Sequence, residues 1–214
     1  MVKGSLNINQ KNTITERISL ENHYDPPLEI AKSIMLNSLD KYHITYIENA
    51  PFVCIATSDS EGQPTISPKG DAPGFVELRD KNTLIIPDRI GNNKLESFHN
   101  LVENPKIGLI FMIPGMKETL RISGIAQIIT DDEILKFAQI GQKNVKTGLV
   151  VTITKCYFHC GKAIIRSKLW NEENKISKDK LPSFGKIINE QAKLQESIQS
   201  SDNLVEHVYK NELY

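Results

Sequence analysis

Apolar residues along this chain follow two textures. Between positions 25 and 49 they recur at helical spacing. Asp25-Pro26-Pro27 offers an N-cap carboxylate and two prolines suited to a first turn, and Leu28, Ala31, Ile34, Met35 and Leu39 follow on one predicted core-facing side. Asp40 predicts the cap of a second short helix ending near Glu48, with Ile44 and Ile47 inward. From Pro51 onward the apolar runs are short and β-like, at 52–57, 64–67, 75–78, 83–86, 106–113, 119–130 and 149–153. Turns are expected at 59–62 and 80–82, and a bulge at Gly124. A helix is predicted over 93–104 (Leu95, Phe98, Leu101 and Val102 on one face), and another after Asp131 with Ile134, Leu135 and Ala138 inward. Residues 183–200 read as an amphipathic helix carrying Phe184, Ile187, Ile188, Leu194 and Ile198, and the last dozen residues as one more.

Many short strands with few helices between them predict a mainly β, α+β chain: an antiparallel, partly closed barrel rather than alternating βαβ units. Its 214 residues divide into an expected mobile arm (1–24), a barrel domain (25–170) and a C-terminal helical extension (171–214). Hydrophobic residues at 39% permit a sizeable core, and Lys+Arg 26 against Asp+Glu 26 gives no basic excess, which argues against a general nucleic-acid partner. No stretch has the length of a signal peptide's apolar core or a membrane helix, so no membrane partner is expected and a cytoplasmic address is the default. Cys54, Cys156 and Cys160 form no paired framework and read as reduced thiols.

The most informative segment is 86–95, where an apolar strand leaves through Pro87-Asp88-Arg89, turns at Gly91 and enters a predicted helix with Asn92, Asn93 and Lys94 in its first turn. Free N–H groups at a helix start make an anion site, to which Arg89 and Lys94 can add charge-assisted hydrogen bonds. A second reading stands beside it: Asn92 caps the helix and both cations are solvated. In 65–75, Pro68, Gly70 and Gly74 sit among small and charged residues where a strand should continue, permitting close approach of a flat ligand or forming an ordinary loop.

Taken together, Gly62-Gln63-Pro64-Thr65-Ile66-Ser67-Pro68-Lys69-Gly70, Thr83-Leu84-Ile85-Ile86-Pro87-Asp88-Arg89 with Gly91-Asn92-Asn93-Lys94, Asn104-Pro105-Lys106-Ile107-Gly108 and Leu120-Arg121-Ile122-Ser123-Gly124 resemble the pyridoxamine 5′-phosphate oxidase-like FMN-binding proteins. The later Phe158-His159-Cys160-Gly161-Lys162 and Arg166-Ser167-Lys168-Leu169-Trp170 resemble an uncharacterised subgroup of them, and the resemblance covers about residues 28–170. It implies a six-stranded split barrel that forms a homodimer with FMN at the subunit interface. It also implies a flavin phosphate near Arg89, Asn92, Asn93 and Lys94, with Ser67, Pro68, Lys69, Gly70 and Asp71 along the ribityl chain and ring edge. Asp88 and Arg121 carry over as cofactor-contacting positions. Thr119 stands where relatives have a flavin-contacting glutamine. Lys162, Arg166 and Trp170 are expected to approach the cofactor from the C-terminal part, of this subunit or its partner. The basic C-terminal segment of the true oxidases is not matched by Glu206–Tyr214, so the vitamin B6 activity is not carried over.

Other constellations compete. Cys156, His159 and Cys160 at i, i+3 and i+4 have zinc-like spacing without a fourth ligand at conventional distance, and no metal is expected. Residues 115–119 lack the glycine spacing of a phosphate loop, and no serine has a nucleophile-elbow context. No catalytic side chain is identified. Two functions remain: an FMN-dependent oxidoreductase passing hydride to or from the flavin, with a small molecule, NADH or NADPH as partner; or a non-catalytic flavin-binding carrier.

Overall fold

The computed structural model describes residues 7–214; positions 1–6 of the expected arm lie outside the described residues. The chain forms two compact units, divided after Met35. In the first, a 3₁₀ turn (Gln10–Asn12) precedes helices α1 (Arg17–Glu21) and α2 (Glu29–Ser33). The helix expected from Asp25 is therefore only α2. Its N-cap is Leu28, without a side-chain bond, and Leu28, Ile34 and Met35 are exposed. Pro26 and Pro27 explain the shortening, because a residue before proline is driven out of the helical region.

In the second unit, Asp40 caps α3 (Lys41–Asn49) as expected, its Oδ1 accepting from the N–H groups of Tyr42 and His43 at 2.9 and 3.0 Å. Ile47 is fully buried on this helix, while Ile44 is only partly so. The strands are β1 (Phe52–Ser58), β2 (Pro64–Gly70), β3 (Glu77–Asp80), β4 (Thr83–Pro87), β5 (Lys106–Met112), β6 (Thr119–Ile129) and β7 (Gly148–His159). They make one antiparallel sheet in the order β2-β1-β5-β6-β7-β4-β3. Seven strands stand where the resemblance implied six, and each answers one of the apolar runs.

Val53 and Ile55 of β1 share one core cluster with Leu84 and Ile86 of β4, at opposite sides of the strand order. The sheet therefore curls around a single interior, while β2 and β3 stay unpaired to each other, and the barrel is split. Ile85, between Leu84 and Ile86, faces a second cluster with Leu135, Ala138 and Val145. That is why this run is continuously apolar: β4 is covered on both faces. Helix α5 (Asp132–Leu135), capped by Asp131, brings Leu135 there. The register slips between Ser123 and Gly124, where an added Cβ would lie 2.5 Å from the Thr152 carbonyl oxygen.

The remaining helices are α4 (Glu96–Glu103), α6 (Lys162–Ser167), α7 (Phe184–Ala192) and α8 (Ile198–Asn211). The single helix expected over 183–200 is broken. Lys193 adopts a left-handed conformation (φ 53°), and Ser197 caps α8.

Candidate cofactor site

Strand β2 lies at the sheet edge, where Pro68 removes no needed donor. Its residues alternate between half-buried (Thr65, Ser67, Lys69) and exposed (Ile66, Pro68, Gly70). The half-buried set is polar, although it sits opposite Thr57, Ile55 and Val53 of β1. Helix α4 secures this edge: Asn100 Nδ2 donates to the hydroxyls of Thr57 and Thr65 at 3.1 and 3.2 Å. The strand thus continues through Gly70, and the loop reading of 65–75 is replaced by an edge strand with a polar inner side.

Between β2, the segment after β4 and the start of α4 lies a cavity of about 270 Å³. Its lining includes Ser67, Pro68, Lys69, Asp88, Arg89, Asn92, Asn93 and Lys94, brought together from two separate parts of the chain. Gly70 and Asp71 do not line it, but Asp71 touches it through Arg89. The Arg89 Nε donates to Asp71 Oδ2 at 2.6 Å, and Lys69 Nζ donates to Asp88 Oδ1 at 2.6 Å. Lys69 also lies 5.7 Å from the centre of the Phe98 ring. Burial pushes the Asp71 carboxyl up, yet the Ala72 N–H, the Tyr214 phenol and Arg89 outweigh it and hold the group below its ordinary value. Of the two expected phosphate cations, Arg89 is consequently neutralised by a carboxylate, as is Lys69 beside it. Lys94 is exposed and makes no ion pair among the described residues.

The expected helix start needs correction. Helix α4 begins at Glu96, so Asn92, Asn93 and Lys94 precede it rather than forming its first turn. Asn92 does not cap it; its Oδ1 accepts from the Lys94 N–H at 3.2 Å. Asn93 and Leu95 take left-handed conformations (φ 55° and 57°), so the helix starts at Glu96, three residues later than the spacing implied. For a bulky residue such as Leu95 this conformation costs roughly 1–2 kcal/mol.

Thr119 and Arg121 line a separate cavity of about 370 Å³, between α6 and the outer face of the sheet. Ile66 borders both cavities. Lys162 and Arg166 are exposed on α6 and line neither, although their neighbours Ala163 and Ile164 line the second. Trp170 also lines neither; its Nε1 donates to the Met116 carbonyl at 2.7 Å. Within one chain these three do not join the residues of the first cavity.

Cys156, His159 and Cys160 do not converge. Cys156 is buried in the core and donates to the Ser38 carbonyl oxygen, whereas His159 and Cys160 are exposed. Burial, with the charge of Asp40 added, pushes the Cys156 thiol up to about 11. Gly115 forms a turn between β5 and β6, with φ 87°. Sequence reasoning missed Thr65, Phe98 and Tyr214; the polar alternation along β2 could have revealed the first, while nothing local marks the last.

A search of curated proteins finds no match. Among solved structures, HupZ from Group A Streptococcus is 23% identical with a TM-score of 0.46, the match covering 56% of this chain and 93% of that one. A Clostridium acetobutylicum protein related to general stress protein 26, of the pyridoxinephosphate oxidase family, is 16% identical (TM-score 0.43; 56% and 86% covered). An FMN-binding protein from Syntrophomonas wolfei is 18% identical (TM-score 0.40; 54% and 86% covered). The family model described as pyridoxamine 5′-phosphate oxidase matches residues 39–160, more than half of the chain and the whole span from α3 to the end of β7. This chain belongs to the pyridoxamine 5′-phosphate oxidase family.

Proposed function

We propose that this protein holds FMN, with its phosphate in the 270 Å³ cavity, and acts as an FMN-dependent oxidoreductase. The observation that carries this reading is Lys94, a cation without an ion-pair partner among the described residues, at a cavity where the other two cations are already paired. The lining fits a phosphate ester: one uncompensated ammonium, the Ser67 hydroxyl and the Asn92 and Asn93 amides. Bound there, FMN supplies hydride acceptance and donation. This chain's residues orient and charge-balance it. Asp88 fixes Lys69 on the cavity wall, and Asp71 fixes Arg89, so neither cation has to be ordered when the anion arrives.

Alanine at Lys94 should weaken FMN by about 1–3 kcal/mol, the range for a lost hydrogen bond to a charged group, or roughly 5–150-fold in affinity. Riboflavin lacks the phosphate and should bind the variant and wild type alike. Fluorescence quenching with both flavins measures this, and an equal loss for both would place the phosphate elsewhere.

The subunits are proposed to pair with the flavin between them. Ile66 (73% exposed), Ile165 and Leu169 leave apolar surface bare around the outer-face cavity, which a second copy would cover. Light scattering that finds a monomer with flavin bound would refute the shared site. The pairing of both Lys69 and Arg89 also suits the second reading, a flavin carrier without turnover. Anaerobic mixing with NADH and NADPH separates the two: rapid bleaching of the flavin supports the oxidoreductase, and inertness the carrier.

A further inference from the structure

Beside the first cavity lies another, of about 200 Å³, that shares Asp88, Arg89 and Asn93 with it and is otherwise lined by Ile140, Lys143, Val145, Lys146 and neighbours. Tyr214 also lines it, and three groups hold this one residue by three of its parts. Its phenol donates to Asp71 Oδ1 at 2.9 Å. The Arg89 guanidinium carbon lies 5.7 Å from its ring centre. Its main-chain oxygen accepts from Lys143 Nζ at 2.9 Å. A hydroxyl, an aromatic face and an oxygen acceptor are thereby each recognised by a different side chain.

We propose that this cavity, together with the place Tyr214 holds in its wall, is a binding site for a small hydroxyaryl acid that displaces Tyr214. Asp71 accepts the aryl hydroxyl. It is suited to do so because its side chain is only 6% exposed and its other oxygen is paired with Arg89. Arg89 meets the ring as a cation over a π-face. Lys143 meets the acid, and Lys146 brings a further positive charge, so the acid end of the cavity favours an anion over a neutral carbonyl. The 200 Å³ is space beside Tyr214, so a ligand that takes that side chain's place has room for one ring and a short acid-bearing arm. Tyr214 remains 42% exposed and is held by a few peripheral contacts, so it can leave. Being tethered, it competes with the force of an effective concentration near millimolar. The site stands next to the proposed flavin phosphate but does not depend on which group occupies the first cavity.

The test is calorimetric titration with N-acetyltyrosine, first without flavin and then with FMN, so that failure of flavin binding leaves the first arm readable. Tyr214→Ala protein should bind N-acetyltyrosine at least tenfold more tightly than wild type. N-acetylphenylalanine, lacking the hydroxyl, and N-acetyltyrosinamide, lacking the acid, should bind the variant more weakly. Adding Lys143→Ala should reduce the discrimination between acid and amide, leaving only the part due to Lys146. Tyr214→Phe, which keeps the ring but loses the bond to Asp71, provides a second opened form, with a smaller gain over wild type. No binding to either opened form, or equal affinity in wild type and variants, would overturn the proposal. So would indifference to the Lys143 change.

Discussion

Arg89 and Lys94 both border the cavity, but their loss should register in different measurements. Arg89 is 20% exposed and Asp71 only 6%, and their 2.6 Å contact joins the end of β2 to the segment after β4. Arg89 Nη1 also donates to the Ala138 carbonyl, tying in the turn after α5. Removing one partner of a buried pair costs about 3–5 kcal/mol. Here Asp71 keeps the Ala72 N–H and the Tyr214 phenol, and water can enter where Arg89 stood, so Arg89→Ala should cost about 2–3 kcal/mol. For a chain of this size that is a fall of roughly 4–12 °C in Tm. Lys94→Ala, at an exposed position, should change stability by less than about 0.5 kcal/mol. The folded state holds the Asp71 carboxyl below its ordinary 3.8, so its contribution is fully present above that value and is lost as pH falls through the lower, folded one. The gap between wild type and Arg89→Ala should therefore narrow below about pH 4. Urea unfolding followed by circular dichroism at pH 7 and in acid gives both numbers. If Arg89→Ala is as stable as wild type yet loses FMN as Lys94→Ala does, Arg89 serves the phosphate and the pairing with Asp71 is incidental.

Gly124→Ala should destabilise the fold by about 1–3 kcal/mol, because its Cβ would meet the Thr152 carbonyl at 2.5 Å and Val151 Cγ1 at 2.8 Å; urea unfolding of the variant checks this, and an unchanged midpoint would contradict the bulge geometry. Cys156, buried and with its thiol pushed up to about 11, should resist a thiol reagent at pH 7.5 until denaturant is added. Mass spectrometry of labelled peptides reads this directly, and rapid labelling of Cys156 in the folded protein would contradict its burial.

The barrel was largely legible because half-buried strands must alternate and doubly covered ones must run apolar. The 83–86 run and the Gly124 bulge are instances. The Asp40 and Asp131 caps were legible for a similar reason, since a short acceptor side chain before an apolar-periodic run has little else to do. Helix ends were less so. Leu95 and Val102 fit the period of α4 but are exposed, and the left-handed turns at Asn93 and Leu95 carry no glycine to announce them. At the site, the grouping of 65–71 with 88–94 followed from the resemblance. The ion pairs did not, because Lys69 and Asp88, or Asp71 and Arg89, are joined by sheet topology rather than by local spacing. Tyr214 lies farther still in sequence from Asp71, and only the folded chain brings them together.

The claim that the first cavity holds a flavin mononucleotide is tested most directly by purifying the protein from a flavin-replete host, denaturing it and chromatographing what is released. The phosphate site proposed in this cavity and the absence of a G-x-G-x-x-G segment in the sequence predict a yellow protein releasing FMN, with Lys94→Ala retaining less of it. Release of FAD, of a non-flavin chromophore, or of nothing would contradict the account.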